Sequence, residues 1–264
     1  MKKSIALIFI VFFIAITSLG SGVVGEAKEY EGELIASFST SYASSSESRK
    51  HNVELATNRL NNTLVESQQE FSFNKTIGNR TEENGYRKSI VISNGEFTEG
   101  VGGGVCQVST TLYNAVIRAQ LFVTECHSHS LAVSYVLLGF DALVSTYADF
   151  KFINNTPYPI RIKARADGST LTIKIYGFSN LDDGERHVYH SKKIADIPST
   201  EYEILNENNL SHGIEKIIKE PTPGAIVDSY RDVYYRGELL RTELIRRTYY
   251  SSQKGKKQIL APTQ

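Results

Sequence analysis

Tryptophan is missing from this 264-residue chain, and cysteine occurs only twice. Without an indole, any stacking against a sugar ring would fall to the fifteen tyrosines, whose rings are apolar at the face and polar at the tip. Two cysteines, Cys106 and Cys126, cannot make the dense disulfide framework of a small secreted scaffold. A single bridge between them would contribute about 3 kcal/mol, yet a chain of this length can bury a core without it. Excess charge is missing too, because Lys+Arg and Asp+Glu both number 29. No bulk field gathers nucleic acid or an anionic membrane, and nucleic-acid binding is set aside. Low-complexity tracts are absent, and a long apolar run occurs only near the N-terminus.

That run, "IALIFIVFFIAI" from Ile5 to Ile16, follows Lys2 and Lys3 and precedes the small-residue stretch "TSLGSGVVGEA". A basic start, an apolar middle and a small-residue end predict a secretory signal peptide over residues 1–27, cleaved after Ala27. Left uncleaved, the stretch from Ser4 to Val24 is long enough to anchor in a bilayer, which is the one membrane association expected. The remainder is expected to be soluble and extracytoplasmic.

Past the signal, "ELIASFST" alternates as a strand, and a serine-rich turn leads into a helix expected from about Arg49 to Leu64. Val53, Ala56, Leu60 and Leu64 form its apolar stripe, with Asn52, Asn58, Arg59 and Asn62 on the polar face. "EFSFN", Glu70 to Asn74, reads as a short strand. "YRKSIVIS" and "EFTEG" read as strands joined at Asn94-Gly95. "VGGGVCQVST" then runs into a helix from Val105 to Ala119, with Val108, Leu112, Ala115, Val116 and Ala119 on one stripe. The alternating "LFVTECHSHSLAVSYVLLG" reads as the next strand, and two or three more follow, with turns at Asn154-Asn155 and Asp167-Gly168. Beyond Phe178 only short β-type runs remain. The expected organisation is an α+β domain over residues 33–178, a linker at 179–184 and a small all-β module at 185–262. The first would pack a Cys-bearing helix on an antiparallel sheet.

Cys106 carries the candidate chemistry. A thiolate is stabilised at a helix N-terminus by the dipole and unpaired amides. Glycines before it let the backbone approach closely and could turn amides toward an oxyanion. His127 and His129, spaced i, i+2, would project from one strand face as candidate bases. Asp141 or Asp149 could orient the base. Gly103, Gly104, Gln107, Ser109 and Thr110 complete the candidate substrate and oxyanion set, with Cys106, His127, His129 and Asp141 as the catalytic set. Thiol, histidine and acid in this order resemble the arrangement of papain-like and NlpC-type cysteine peptidases. A packing cysteine beside a glycine turn remains the plain alternative. No cofactor is required, but the His127/His129 pair with a carboxylate would also suit zinc.

Several ordered blocks resemble the VanW family, exported bacterial proteins named from a type B vancomycin-resistance cluster. They are "LIASFSTSY", "ELATNRLN", "EFSFNKTIGNRTEENGY", "GGGVCQVSTTLYNAVIRA", "HSHSLAVSYV", "GFDALV" and "DFKFINNTPYPI". The resemblance spans about Glu33 to Gly177 and implies a bacterial envelope role around peptidoglycan. Its matching polar positions include Cys106, Gln107, Ser109, Thr110, His127, His129 and Asp141, with Phe71, Asn74 and Gly78 in the earlier block. Two departures stand out. "SQQEFSF" lacks the proline-glycine step the family tends to carry there, and Cys126 and Ser128 replace arginine and proline. "PTPGAIVDSYRDVYYRGELLRTELIRRTYY" is similar to the extracellular G-five module, which is associated with envelope polysaccharide or adhesion. The expected function is thus an exported cell-envelope protein that acts on peptidoglycan as a Cys/His peptidase or transpeptidase. The alternatives are a non-catalytic wall-binding or assembly protein, and a metal site at the histidine pair.

Overall fold

Alternation in "ELIASFSTS" makes the first strand, β1 (Glu33–Ser41), which buries Ala36 and Thr40. A computed structural model of the protein describes residues 32–93, 95–179, 181–205 and 214–260. The expected signal peptide and Asn94 of the expected hairpin turn lie outside them. The first helix, α1 (Glu47–Leu60), begins earlier than the apolar spacing predicts, because the Ser46 hydroxyl accepts the Arg49 N–H at 3.4 Å as its N-cap. It also ends earlier: Asn62 has a φ of 66°, and Leu64 passes into β2 (Thr63–Val65) with its side chain exposed. Asn52 does not belong to a solvent face. It is fully buried, donates to the Arg87 and Gly103 carbonyls at 2.8 and 3.0 Å, and accepts the Arg87 N–H at 2.8 Å. A buried amide needs such partners to offset its desolvation.

The expected strand "EFSFN" divides into β3 (Glu70–Ser72) and a short helix, α2 (Phe73–Ile77). Ser72 causes the break, since its hydroxyl accepts the Lys75 N–H at 3.1 Å and starts the helix. β4 (Lys88–Ser93) and β5 (Glu96–Val101) form an antiparallel hairpin that turns at Gly95, φ 77°. α3 (Val105–Arg118) follows the glycines directly. The long strand expected from Leu121 is only β6 (Phe122–Glu125), and residues 128–139 form no strand. β7 (Lys151–Ile153), β8 (Ile160–Ala166) and β9 (Thr170–Gly177) complete the N-terminal part.

A four-stranded sheet, β1-β9-β8-β2, carries the helices, and β3-β7-β6 forms a smaller one. α3 packs on β1 and β9, and α1 on β8. Val108, Leu112, Ala115 and Val116 of α3 meet this core beside Ile173 and Ile175 of β9. Each of the buried Val, Leu and Ile side chains contributes about 1.5–3 kcal/mol.

The C-terminal part comprises β10 (Glu185–Ile197), β11 (Tyr202–Leu205), β12 (Ile214–Lys219), β13 (Gly224–Tyr235), β14 (Glu238–Tyr250) and β15 (Gly255–Leu260). It forms the sheets β10-β13-β14 and β11-β15-β12. β10, β13 and β14 run 12 or 13 residues and so are longer than expected. Arg236-Gly237, both at positive φ, turn the β13–β14 hairpin. This part packs directly on the first. The Tyr189 hydroxyl donates to the Ile117 carbonyl at 2.6 Å, and the Ser251 N–H donates to the Ser130 carbonyl at 2.7 Å. The molecule is a mixed α+β protein with mostly antiparallel sheets and few helices. Among the described residues no helix is long and apolar enough to cross a membrane.

Candidate active site

The glycine turn is shaped by its neighbours within the fold. A Cβ on Gly103 would stand 2.5 Å from the Ile90 carbonyl oxygen, and one on Gly104 would meet Arg49 and Val53 at 2.9 and 3.0 Å. Gly104 also holds a φ of 110° as the N-cap of α3. The glycines therefore let the turn slide between β4 and α1, and the space they make is filled by protein. Gly104 has no side chain to cap the helix; the Val105 and Gln107 N–H groups donate to the Gly102 and Gly104 carbonyls at 3.1 and 3.0 Å, which leaves the Cys106 N–H for another acceptor. Cys106 stands in that first turn.

His129 and Asp141 meet beside it. Asp141 Oδ2 accepts both the His129 backbone N–H and the Nδ1 proton, each at 2.7 Å, and neither residue is exposed beyond 4%. Burial pushes the Asp141 carboxyl up, but its bonds and charge interaction with His129 hold it below the ordinary range. Burial would depress His129, yet Asp141 and Cys106 raise it to about 9. For Cys106 burial raises the pKa, and hydrogen bonding and charge from His129 outweigh it, with a smaller contribution from Arg80. The net result is a thiol that is more acidic than usual beside a more basic imidazole, the conditions for a thiolate–imidazolium pair. In this structure the thiol also donates to the Val144 carbonyl at 3.4 Å.

Cys106 and His129 open onto a cleft of about 980 Å³. Ile90, Val91, Ile92 and Phe97 of the β4–β5 hairpin line one wall, and Ala132 to Tyr135 and Leu143 to Thr146 line the others. Arg49 and Arg80 also face it, and among the described residues no Asp or Glu lines it. Both arginines spend a hydrogen bond on a neutral amide: Arg49 Nη2 to Gln107 Oε1 at 2.8 Å, and Arg80 Nη1 to Asn74 Oδ1 at 2.7 Å. The cleft is consequently cationic around the thiol.

The remaining candidate residues lie elsewhere or serve the scaffold. His127 is exposed and pairs with Glu125 at 2.9 Å, and Lys151 holds that carboxylate at 2.8 Å. Lys151, the Asp149 N–H and His127 together draw the Glu125 pKa down to about 2. The two histidines share no strand face, since the chain leaves β6 at Glu125 and the His127 backbone makes only an isolated bridge to Leu143. The Gln107 amide is fully engaged, accepting from Arg49 and donating to Thr40 Oγ1 and the Ser41 carbonyl. The Ser109 hydroxyl donates to the Ala142 carbonyl at 2.6 Å, and Thr110 Oγ1 accepts the Ala142 N–H at 2.9 Å. These two hydroxyls fasten the Asp141 segment to α3. Asp149 instead caps α2, accepting the Asn74 N–H at 2.9 Å and the Ser72 hydroxyl at 2.6 Å.

Cys106 and Cys126 are free, so the bridge considered from the sequence is not formed. Among the described residues no group of three or more His, Cys, Asp or Glu side chains is arranged to hold a metal ion. The residues that sequence reasoning passed over are Arg49 and Arg80 in the cleft, Asn114 behind Asp141, and Tyr250 and Arg246 on β14. Arg80 stands inside a block already quoted and Arg49 at the expected start of the first helix, but nothing local to β14 marks its two residues.

Comparison with known proteins finds relatives over part of the chain. The VanW like protein family model matches residues 48–176, a segment that contains Cys106, His129 and Asp141. The uncharacterised protein YoaR of Bacillus subtilis is 42% identical over 167 residues, covering 60% of this chain and 55% of YoaR. The vancomycin B-type resistance protein VanW of Enterococcus faecalis is 25% identical over 136 residues, covering 49% of this chain and 50% of that protein. The chain thus spans about half the length of these relatives. Among solved structures, the HP0197 G5 domain is 22% identical with a TM-score of 0.17, covering 28% of this chain and 99% of that one. The IgA1 protease G5 domain is 16% identical with a TM-score of 0.20, covering 30% and 94%. The segment that holds the thiol, the histidine and the buried aspartate is thus the part of this chain that is similar to VanW-like proteins.

Proposed function

We propose that this is an exported cell-envelope protein that carries out thiol-dependent acyl transfer on peptidoglycan peptides, as a peptidase or transpeptidase. The observation that carries the reading is the meeting of Cys106 with the buried His129–Asp141 pair at the wall of one cleft. The chain order of thiol, histidine and acid, shared with papain-like and NlpC-type peptidases, supports it. So does kinship with a protein named for vancomycin resistance. The cationic lining favours a substrate with a free carboxylate near the attacked carbonyl, as a wall peptide has; Arg49 and Arg80 would hold it.

In this reading the Cys106 thiolate attacks the acyl carbon while the Cys106 N–H, in the first turn of α3, receives the oxyanion. The amide C–N bond breaks, and the His129 imidazolium gives its proton to the departing amine. Water or an acceptor amine then loses a proton to His129 and attacks the thioester, and the C–S bond breaks to restore the thiol. Asp141 keeps the imidazole oriented throughout. No metal or cofactor enters these steps. The bond from the Cys106 thiol to Val144 favours a second reading, in which the thiol is packing and the cleft only binds the wall.

Labelling of Cys106 against pH separates the two, with Cys126→Ser as background. The catalytic reading expects fast alkylation well below the ordinary thiol pKa of about 8.5, and a thioester-linked peptide on Cys106 detected by mass spectrometry. Release of that peptide by water marks a peptidase; release only on adding an amine acceptor marks a transpeptidase. Slow labelling of ordinary pH dependence, with wall binding intact in Cys106→Ser, would leave the binding reading.

A further inference from the structure

We propose that the C-terminal β part is a component of the Cys106 site: Tyr250 and Arg246 of β14 position Asp141 so that it holds His129 toward the thiol. This rests on the catalytic reading above and assigns positioning residues outside the segment matched by the family model.

Tyr250 ends β14 and is only 2% exposed. Its hydroxyl accepts the Gly139 N–H at 2.7 Å and donates to Asp141 Oδ1 at 2.6 Å. A phenol has one proton to give, so the bond from Gly139 aims that proton at the carboxylate. Arg246 Nη2 donates to the carbonyls of both Gly139 and Asp141, at 2.6 and 2.8 Å. With Oδ1 taken by Tyr250, Oδ2 is left to the two His129 donors. The carboxylate can no longer rotate without breaking bonds on both oxygens.

The contact is close as well as polar. A Cβ on Gly139 would lie 2.0 Å from Ser229 Oγ of β13, the residue paired with Arg246 across the hairpin. One residue beyond Tyr250, Ser251 bonds to Ser130, the neighbour of His129. β14 and its end thereby grip both partners of the base–acid pair from one side. From the other side, Ser109, Thr110 and Asn114 of α3 bind the backbone of Phe140 and Ala142. The titratable and charged groups that bear on Asp141 are His129, Arg246, Tyr250, Cys126, Tyr113 and Tyr135. A module that only stabilised its neighbour would not need a hydroxyl aimed at the one carboxylate that orients the base.

The test uses the full chain in the Cys126→Ser background and reads the pH midpoint of Cys106 alkylation together with kcat and KM. Asp141→Asn, Tyr250→Phe, Arg246→Lys and Tyr249→Phe are compared with the parent; Tyr249 is the exposed neighbour. We expect Tyr250→Phe and Arg246→Lys to move the midpoint upward by about half a unit to one unit, in the direction of Asp141→Asn. Each should lower kcat about tenfold with little change in KM, and Tyr249→Phe should match the parent. A parent midpoint already at the ordinary thiol value would overturn both the catalytic reading and this proposal. A depressed parent midpoint that Asp141→Asn shifts, but that folded Tyr250→Phe and Arg246→Lys do not, overturns this proposal alone. If Tyr250→Phe fails to fold, Arg246→Lys decides, since it keeps the charge and loses the fork.

Discussion

Cys106 and Cys126 direct their thiols at carbonyls of the same loop, Val144 at 3.4 Å and Asp141 at 3.9 Å, yet their acidities move in opposite directions. Burial raises both. At Cys106 the His129 bond and charge more than offset it. At Cys126 burial prevails and the thiol rises to about 11, because the attraction of Arg246 is opposed by the Asp141 charge. An adjacent cation is therefore not enough to make a reactive thiol. What distinguishes Cys106 is an imidazole whose Nδ1 is fixed by a buried carboxylate, together with an open cleft in front of it.

The widest test of that contrast removes each thiol in turn. Cys106→Ala is expected to lower turnover on wall peptides by roughly three orders of magnitude or more, and Cys126→Ser to stay within about twofold, since a neutral Cys126 takes no part in the proton traffic. The reverse pattern in a steady-state assay would move the site to the other thiol. The histidines give the next largest effect. His129→Ala should cost about 10²–10⁴ in kcat, whereas His127→Ala, which loses only a surface pair with Glu125, should stay close to the parent.

The smallest effect is in stability against pH. His129 is raised to about 9 in the fold, so its contribution is complete below about 6.5 and is lost as pH rises toward 9. Cys126, raised to about 11, loses its contribution in the next window, from about 8.5 upward. Melting temperatures should show the first loss disappear in His129→Asn and the second in Cys126→Ser. If both variants keep the parent's alkaline profile, the two environments do not differ in the way described.

Much of this contrast could be read along the chain. The "GGGVC" step and the 3.6-residue stripe from Val108 placed Cys106 at a helix start, because both are local signals. The hairpin at Gly95 and the β character of the C-terminal part were legible for the same reason. Other local readings failed where tertiary partners intervened. Asn52 has the composition of a polar face but is buried as a clamp on Arg87 and Gly103. "EFSFN" alternates as a strand should, but Ser72 and Asp149 cap a helix within it. Residues 128–139 alternate too, yet they lie as a loop beneath β14 and pair with no strand.

The sequence by itself determined that a thiol begins α3 and that histidines and an acid follow in order, since helix starts and residue order are properties of neighbouring residues. Only the tertiary structure brings His129 and Asp141 together beside Cys106, and sets His127 against Glu125 and Asp149 at the start of α2. That grouping depends on which side chains share one buried carboxylate. Asp141 is held by α3 on one side and by β14, more than a hundred residues onward, on the other. No periodicity within a short window carries such a contact.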